Sequence, residues 1–370
     1  MSRIDDLIAK LCPNGVEYKT LGDICNIETG KLNANDAVEN GAFMFFTTAK
    51  KPSKIDKYRW NTEALLISGN ANVGEVKHYI GKFDAYQRTY VLTNFISNLN
   101  VRFLFFILSS YLKKYLEDRT NSAAMTYIVL ATLKNFPIPI PPLEIQREIV
   151  KVLDTFTKLE AELEAELEAR RRQYHYYRDQ LLNFEGRDDV QWMTLGEVAI
   201  NQDSKRRPVT KSARNKGEIP YYGASGIVDY VSDYIFDGDF LLVSEDGANL
   251  IARSTPIAFS ISGKTWVNNH AHVLQFNSYT ERKLIEIYLN SIDLTPYISG
   301  GAQPKLNQAN LNKIPIPVPP LEEQTRIVAI LDKFDALVND LSSGLPAEIS
   351  ARRKQYEYYR DRLLTFKEAQ

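Results

Sequence analysis

Cysteine is nearly absent from this chain, with Cys12 and Cys25 the only two among 370 residues. Two thiols without a metal-ligand spacing exclude a disulfide framework and read as reduced cysteines. Long apolar runs are missing too; the closest, residues 103–108, falls far short of the roughly 20 uncharged residues of a membrane span. The opening Met1-Ser2-Arg3-Ile4-Asp5-Asp6 lacks the basic end and apolar core of a signal peptide. A cytoplasmic protein without a membrane partner is therefore expected. Charge of one sign is also lacking, since 45 basic and 46 acidic residues leave a net charge of −1. No global excess draws a polyanion to the surface, so any phosphate contact must come from local clusters or from a partner.

Catalytic signatures are equally scarce. No G-x-x-x-x-G-K-[ST] loop and no G-x-G-x-x-G after a strand is present. His270 and His272 alternate on one strand face, but without a further ligand at metal spacing they read as satisfied strand histidines and not as a metal pair. The run 68–74, Ser-Gly-Asn-Ala-Asn-Val-Gly, reads as a turn between strands. Glu245-Asp246 reads as a solvated loop pair, with no nucleophile near it in sequence. The chain is expected to be no enzyme and to hold no metal or cofactor.

What the sequence does contain is a duplication. Residues 137–156 and 315–334 share 13 of 20 positions at a constant offset of 178, beginning with Pro-Ile-Pro-x-Pro-Pro-Leu-Glu-x-Gln in both copies. A second block, Arg-Arg-Arg-Gln-Tyr-His-Tyr-Tyr-Arg-Asp at 170–179, returns as Arg-Arg-Lys-Gln-Tyr-Glu-Tyr-Tyr-Arg-Asp at 352–361, an offset of 182. Four residues are inserted between the blocks of the second copy. So long a period is a duplicated half-molecule, not a solenoid.

The first copy reads as one long helix over about residues 143–183. Ile149, Val152, Phe156, Leu159 and Leu163 alternate spacings of three and four, while charged residues fill the gaps. Its middle is a tandem Leu-Glu-Ala-Glu unit of strong helix formers, whose four-residue step acts as a stutter in a heptad seam. The second copy continues a similar seam through Ile327, Leu331, Phe334, Val338, Leu341, Leu345, Ile349, Tyr356, Tyr359 and Leu363. A kink or break is expected around Gly344 and Pro346, which both disfavour a helix interior. Neither helix buries its stripe alone, so the copies are expected to pair antiparallel.

Around the helices lie two mixed regions with short apolar strand candidates at 64–68, 90–92, 240–244 and 273–276, and helical stretches at 103–116 and 284–294. The expected architecture is α+β: two mixed α/β domains, 1–142 and 185–320, separated by two long antiparallel coiled-coil helices, 143–184 and 321–370, in a pseudo-twofold internal repeat. Each mixed domain carries a basic cluster: Lys50, Lys51, Lys54, Lys57 and Arg59 in one, Lys205, Arg206, Arg207, Lys211, Arg214 and Lys216 in the other. Such clusters neutralise backbone phosphates. Side chains able to read base edges accompany them: Asn70, Asn72, Gln87 and Arg88, then Asn249, Asn268, His270 and Gln303. The bland alternative is a solvated charged face on a DNA-independent, two-lobed interaction scaffold.

The Pro-Ile-Pro-x-Pro-Pro-Leu-Glu-x-Gln lead-in, the Gln-Tyr-x-Tyr-Tyr-Arg-Asp exit and their recurrence after a second mixed domain resemble the specificity subunit of type I restriction-modification systems. The stretch 300–307, Gly-Gly-Ala-Gln-Pro-Lys-Leu-Asn, is similar as well and adds Lys305 to the candidates; the first half departs there with Asn121-Ser122-Ala123-Ala124-Met125. The resemblance implies two target recognition domains, each reading one half of a split site in double-stranded DNA, with the helices as spacer. It also implies a chain without catalysis of its own. Two modification (methyltransferase) subunits would dock on the helices, with Tyr174, Tyr177, Arg178, Tyr356, Tyr359 and Arg360 as candidate contacts. Restriction subunits would supply ATP-driven translocation and cleavage. S-adenosylmethionine, ATP and Mg are then expected only in the partner subunits.

Overall fold

The structure, a computed structural model, describes residues 2–119, 127–301 and 303–369. The departing stretch Asn121 to Met125 and Ala302 of the 300–307 motif lie outside the described residues. The chain forms two compact units, Met1–Glu164 with Ile349–Gln370, and Ala165–Glu348. The units therefore cut across the helical segments, and each takes part of both copies.

The first unit runs through α1 (Ser2–Leu11), β1 (Glu17–Thr20), α2 (Leu21–Ile24), β2 (Asn26–Thr29), β3 (Phe43–Phe46), β4 (Ser53–Ile55), β5 (Trp60–Ser68), β6 (Val76–Ala85), β7 (Thr89–Thr93), α3 (Val101–Glu117), α4 (Leu130–Lys134) and β8 (Pro137–Ile140). The long α5 (Leu143–Leu181) leads into β9 (Gln191–Thr194), α6 (Leu195–Val198), β10 (Ile200–Asn201), β11 (Lys216–Gly223), β12 (Gly226–Val231), β13 (Phe236–Ser244), α7 (Asn249–Ala252), β14 (Ala258–Val267), β15 (Ala271–Gln275), α8 (Tyr279–Ser291), α9 (Gln308–Leu311) and β16 (Pro315–Val318). The chain ends in α10 (Leu321–Asn339) and α11 (Leu345–Leu364).

Each unit has a six-stranded sheet of the same order, β2-β7-β5-β6-β3-β4 and β10-β15-β13-β14-β11-β12. Only the β3–β6 and β11–β14 pairs are parallel. The inner halves of the central strands, Ala64 to Ile67 of β5 and Phe240 to Val243 of β13, are apolar because both faces are covered. Leu65 and Ile67 pack with α3 residues such as Phe103 and Leu104, while Ala64 and Leu66 join Phe46, Trp60 and Phe83 on the other face. Leu241 and Val243 against Phe240 and Leu242 repeat this division in the second unit.

The proline-rich segments become β8 and β16, each in a two-stranded ladder with β1 or β9. A strand with one free edge tolerates alternating prolines, whose missing N–H groups need no partner there. The helix then starts on a buried glutamine. Gln146, fully buried, donates Nε2 to the Pro141 and Asn98 carbonyls at 2.6 and 2.9 Å, and its Oε1 accepts from the Asn100 N–H at 2.7 Å. Its repeat mate Gln324 donates to the Pro319 carbonyl at 2.8 Å. The glutamine of the repeated lead-in thus ties each helix to the backbone that delivers it.

Within the first unit α5 pairs antiparallel with α11: Phe156 meets Tyr356 and Tyr359, while the later Glu160 and Glu164 meet the earlier Arg353. Within the second, Tyr177 meets Phe334 of α10. The expected break is present between α10 and α11. These helices, of 19 and 20 residues, together match the 39 of α5, so residues 340–344 absorb the inserted four. Asp340 accepts hydrogen bonds from the Ser342 N–H and Oγ at 2.7 and 2.6 Å, and from Ser343. At Gly344 a Cβ would lie 2.4 Å from the Ala336 carbonyl oxygen, which selects glycine. One seam assignment changes: Leu341 falls in this break and is 82% exposed. Cys25 donates to the Leu21 carbonyl at 3.3 Å, and burial pushes its thiol up to about 12, as suits an inert core cysteine.

Candidate nucleic-acid interface

The two sheets place their loops in the same backbone frame. In the first unit the Gly69 N–H donates to the Arg88 carbonyl at 2.8 Å and the Ile128 N–H to the Gly69 carbonyl at 2.9 Å. In the second, Glu245 and His270, then Leu306 and Glu245, make the corresponding bonds at 2.9 and 2.8 Å. Bridges between Asn70 and Tyr127, and between Asp246 and Lys305, complete the match. Each unit therefore gathers the turn after its central strand, the turn before the next edgeward strand and a loop preceding the proline strand. The frame is common and the side chains on it differ.

In the first unit Lys50, Lys51, Lys54, Lys57 and Arg88 are exposed, without an ion-pair partner among the described residues. The turn bearing Lys50 and Lys51 is tied to the loop cluster, because Asn72 donates Nδ2 to the Thr48 carbonyl at 2.8 Å and Lys77 donates to the Ala49 carbonyl at 2.9 Å. That bond directs the Asn72 amide inward. Gln87 donates to Asn33 Oδ1 at 3.1 Å, and the half-buried Asn70 lies at the centre of the cluster. Arg59 is engaged within the protein, by Glu28 and by the face of Trp60.

The second unit is built on a buried ionic network. Arg206, which the sequence groups with the exposed bases, has a side chain only 13% exposed; it binds Glu245 at 2.6 Å, Asp203 at 3.3 Å and the Ala271 carbonyl at 2.8 Å. Arg214 is likewise paired with Asp229 at 2.9 Å and stacked on Tyr221. Lys205, Arg207 and Lys211 are exposed. Glu245 is no solvated loop acid, being 8% exposed and also bound to Lys305 at 3.1 Å. Burial alone would raise its carboxyl, yet Arg206, His272 and Lys305 hold it below the usual range. Asp203 follows the same rule: burial acts to raise it, and its bonds to His272 and the Val273 N–H more than offset that and lower it.

Ligand atoms of Asp203, Glu245 and His272 lie within 4.8 Å of one another, a spacing that invites a metal reading. The donors are already taken. His272 engages Asp203 at 2.5 Å and the Leu306 carbonyl at 2.7 Å, and the two carboxylates face Arg206 and Lys305. The cluster is an internal ion network that pins the loops at 203–206, 245–246 and 305–306 together.

Of the remaining candidates, Asn249 closes its own loop by bonds to Ser254 and Thr255, and Asn268, 7% exposed, accepts from the His270 N–H at 2.8 Å. Gln303 is exposed on the turn whose Pro304 carbonyl accepts from the Gly247 N–H. His270 stands out on the cluster surface, its side chain 51% exposed and its Nδ1 donating to Asp246 at 2.8 Å. Asp246 joins the candidate site although sequence reasoning set it aside as a solvated acid; 24 positions separate it from His270, so nothing local in the sequence linked the two.

On the helices, Tyr174 and Tyr356 are half-buried in their units, while Arg178 and Arg360 each donate Nε and Nη2 to one carboxylate oxygen of the next residue, Asp179 or Asp361. Tyr177 and Tyr359 serve the helix pairing. More exposed are Tyr176 and Tyr358, repeat mates 62% and 61% exposed, with Tyr177 at 40%. They were legible in the repeat itself, but only burial separates them from the neighbouring tyrosines. No helix among the described residues is long and apolar enough to cross a membrane.

The chain is similar in sequence and in fold to known proteins. The family model described as the type I restriction modification DNA specificity domain matches residues 13–169 and 187–351. A putative type I restriction enzyme specificity subunit from Haemophilus influenzae is 42% identical over 184 residues, which are 49% of this chain and 47% of that protein. An Escherichia coli specificity subunit is 36% identical over 266 residues, 63% of either chain, and the EcoprrI specificity subunit, also from Escherichia coli, is 32% identical over 78% of this chain and 75% of its own. The chain thus spans about half of the first of these relatives and under two thirds of the second. The crystal structure of a type I restriction-modification S subunit from M. genitalium has the same fold, with a TM-score of 0.65 at 16% identity over 95% of this chain and 96% of that one. With the matched domain present twice, on two units of one strand order, the chain belongs to the type I restriction-modification DNA specificity domain family.

Proposed function

We propose that this chain is the non-catalytic DNA-sequence specificity subunit of a type I restriction-modification complex, with each unit reading one half of a bipartite target in cytoplasmic double-stranded DNA. The observation that carries the reading is the doubled loop cluster: one hydrogen-bonded frame, two unlike sets of side chains. A common frame presents side chains to the same kind of ligand, and unlike side chains read unlike half-sites. Among the described residues Lys50, Lys51, Lys54, Lys57, Arg88, Lys205, Arg207 and Lys211 are exposed cations without an ion-pair partner, and in this reading they meet phosphates. Gln87, His270, Gln303 and Lys305 are exposed groups of the clusters for base edges, with the half-buried Asn70 behind them in the first unit. Arg206, Asn72, Asn249 and Asn268 hold the loops in place.

Two modification subunits would dock on the repeated helix faces around Tyr176 and Tyr358, beside Arg178 and Arg360. Restriction subunits would join that complex, and S-adenosylmethionine, ATP and Mg would act in the partners. The test is salt-dependent binding of duplex DNA by the full chain purified with its modification subunits, followed by mapping of methylated motifs. A bipartite motif and an affinity that falls steeply with salt are expected. Affinity independent of salt would overturn the reading in favour of a DNA-independent scaffold.

A further inference from the structure

We propose that His270, oriented by Asp246, reads one base pair of the second unit's half-site through Nε2, by a hydrogen bond whose polarity reverses with pH. The inference rests on the DNA reading above and adds a specificity-determining residue and its positioning residue.

The geometry begins with Asp246. Its two carboxylate oxygens lie 2.8 and 3.0 Å from His270 Nδ1, and a carboxylate only accepts, so Nδ1 carries a hydrogen. The backbone fixes the other end of the residue: the His270 N–H donates to the buried Asn268 Oδ1, and its carbonyl accepts from the Glu245 N–H. Nε2 makes no hydrogen bond to the described residues, on a ring that is half exposed among the loops of the cluster. A half-exposed imidazole held at one nitrogen and open at the other is a reading head with fixed direction.

Its chemistry follows. With Nδ1 protonated, neutral imidazole offers an acceptor at Nε2, which fits the exocyclic amino groups of adenine or cytosine. A second proton turns Nε2 into a donor, which fits the acceptors guanine O6 or N7, thymine O4 or adenine N7. Histidine is the side chain whose charge changes between pH 5 and 8. Asp246 is the charged group in contact with this ring; Lys305 lies across the backbone bridge from Asp246 and binds Glu245, which joins Arg206, Asp203 and His272 in the buried network. These inner groups are bonded to one another, which leaves the outer nitrogen of His270 as the part free to change partner. The first unit has Arg88 at the equivalent position, a permanent donor, so only the second half-site should respond to pH.

The experiment is selection of bound sequences from a pool of randomised duplexes by the full chain in its complex, at pH 6 and pH 8.5. One position of one half-site should change preference, from adenine or cytosine at high pH to guanine or thymine at low pH, by roughly tenfold. His270→Ala should lose discrimination at that position alone. Asp246→Asn, which keeps an acceptor for Nδ1, should retain the high-pH preference, and Asp246→Ala, which removes that acceptor, should weaken it. Preferences identical at both pH values, or a His270→Ala profile equal to that of the unaltered chain, would overturn the assignment. Failure of the DNA reading looks different, as no sequence would be enriched at either pH.

Discussion

The ring of Tyr177 lies over that of Phe334 at 5.6 Å between centroids and 30° between planes. Its repeat mate, Tyr359 with Phe156, has 5.5 Å and 30°. The duplication seen in the letters is therefore a duplication of packing, to which the first unit adds a second ring contact of Phe156, with Tyr356. Phe334→Ala and Phe156→Ala should each cost about 1–3 kcal/mol, combining reduced burial with the removal of a ring pair. Denaturant unfolding checks this, and costs that differ by more than a factor of two would mean that the two pairs are not energetic equivalents.

The buried glutamines should separate. Gln146 makes three hydrogen bonds and Gln324 one to a proline carbonyl. Replacing Gln146 by leucine strands the Asn100 N–H and two carbonyls, at roughly 1–3 kcal/mol for a buried group left unpaired. Gln324→Leu should cost less, and calorimetry of the two variants decides the order.

Acid should loosen the second unit at Glu323. Its hydrogen bonds to Arg326 and Arg187 outweigh burial and hold the carboxyl at about 2, below the value of 4.5 expected in an unfolded chain. A lowered folded-state value means that the contribution is fully present above about pH 4.5 and is lost as pH falls toward 2. Glu323→Gln should therefore lower the melting temperature at pH 7, and the gap to the unaltered protein should close at acid pH. A gap that stays constant would remove Glu323 from the acid response.

Cations on the loops should divide into two groups. Lys205→Ala and Arg207→Ala are expected to weaken DNA binding and to reduce the salt slope by about 0.9 for each phosphate that is no longer neutralised, with little change in melting. Arg206→Ala should lower the melting temperature first, because it leaves Glu245 and Asp203 buried beside a missing charge. Equal melting temperatures for all three would contradict the ion network.

Inserting one Leu-Glu-Ala-Glu unit into α5 lengthens it by about 6 Å, one to two base-pair steps. The methylated motif should then gain spacer length and keep both half-sites. An unchanged spacer with intact methylation would sink the idea that α5 measures the gap.

The scaffold was legible because its physics is local and periodic. Three-and-four spacing in residues 149–163, prolines that end at Pro142 and Pro320, and glycine beside proline at 344–346 all act within a few residues, so they predicted α5, the helix starts and the break between α10 and α11. Leu341 was misread for the same reason. Its spacing fits the seam, but the Asp340 side chain takes the following backbone and hydroxyls out of the helix.

By itself the sequence determined the doubling, the helix pairing and the separation of two polar loop sets on apolar strands. Only the tertiary structure decided which polar groups are free. Arg206 and Arg207 are adjacent and chemically alike, yet one is neutralised by carboxylates that arrive from residue 245 and from its own turn, while the other stays exposed. Asp246 and His270 are separated by 24 positions and meet because β13 and β15 are neighbours in one sheet. Charge and hydrogen-bonding capacity are properties of a residue, whereas their availability depends on which distant groups the fold brings within bonding distance.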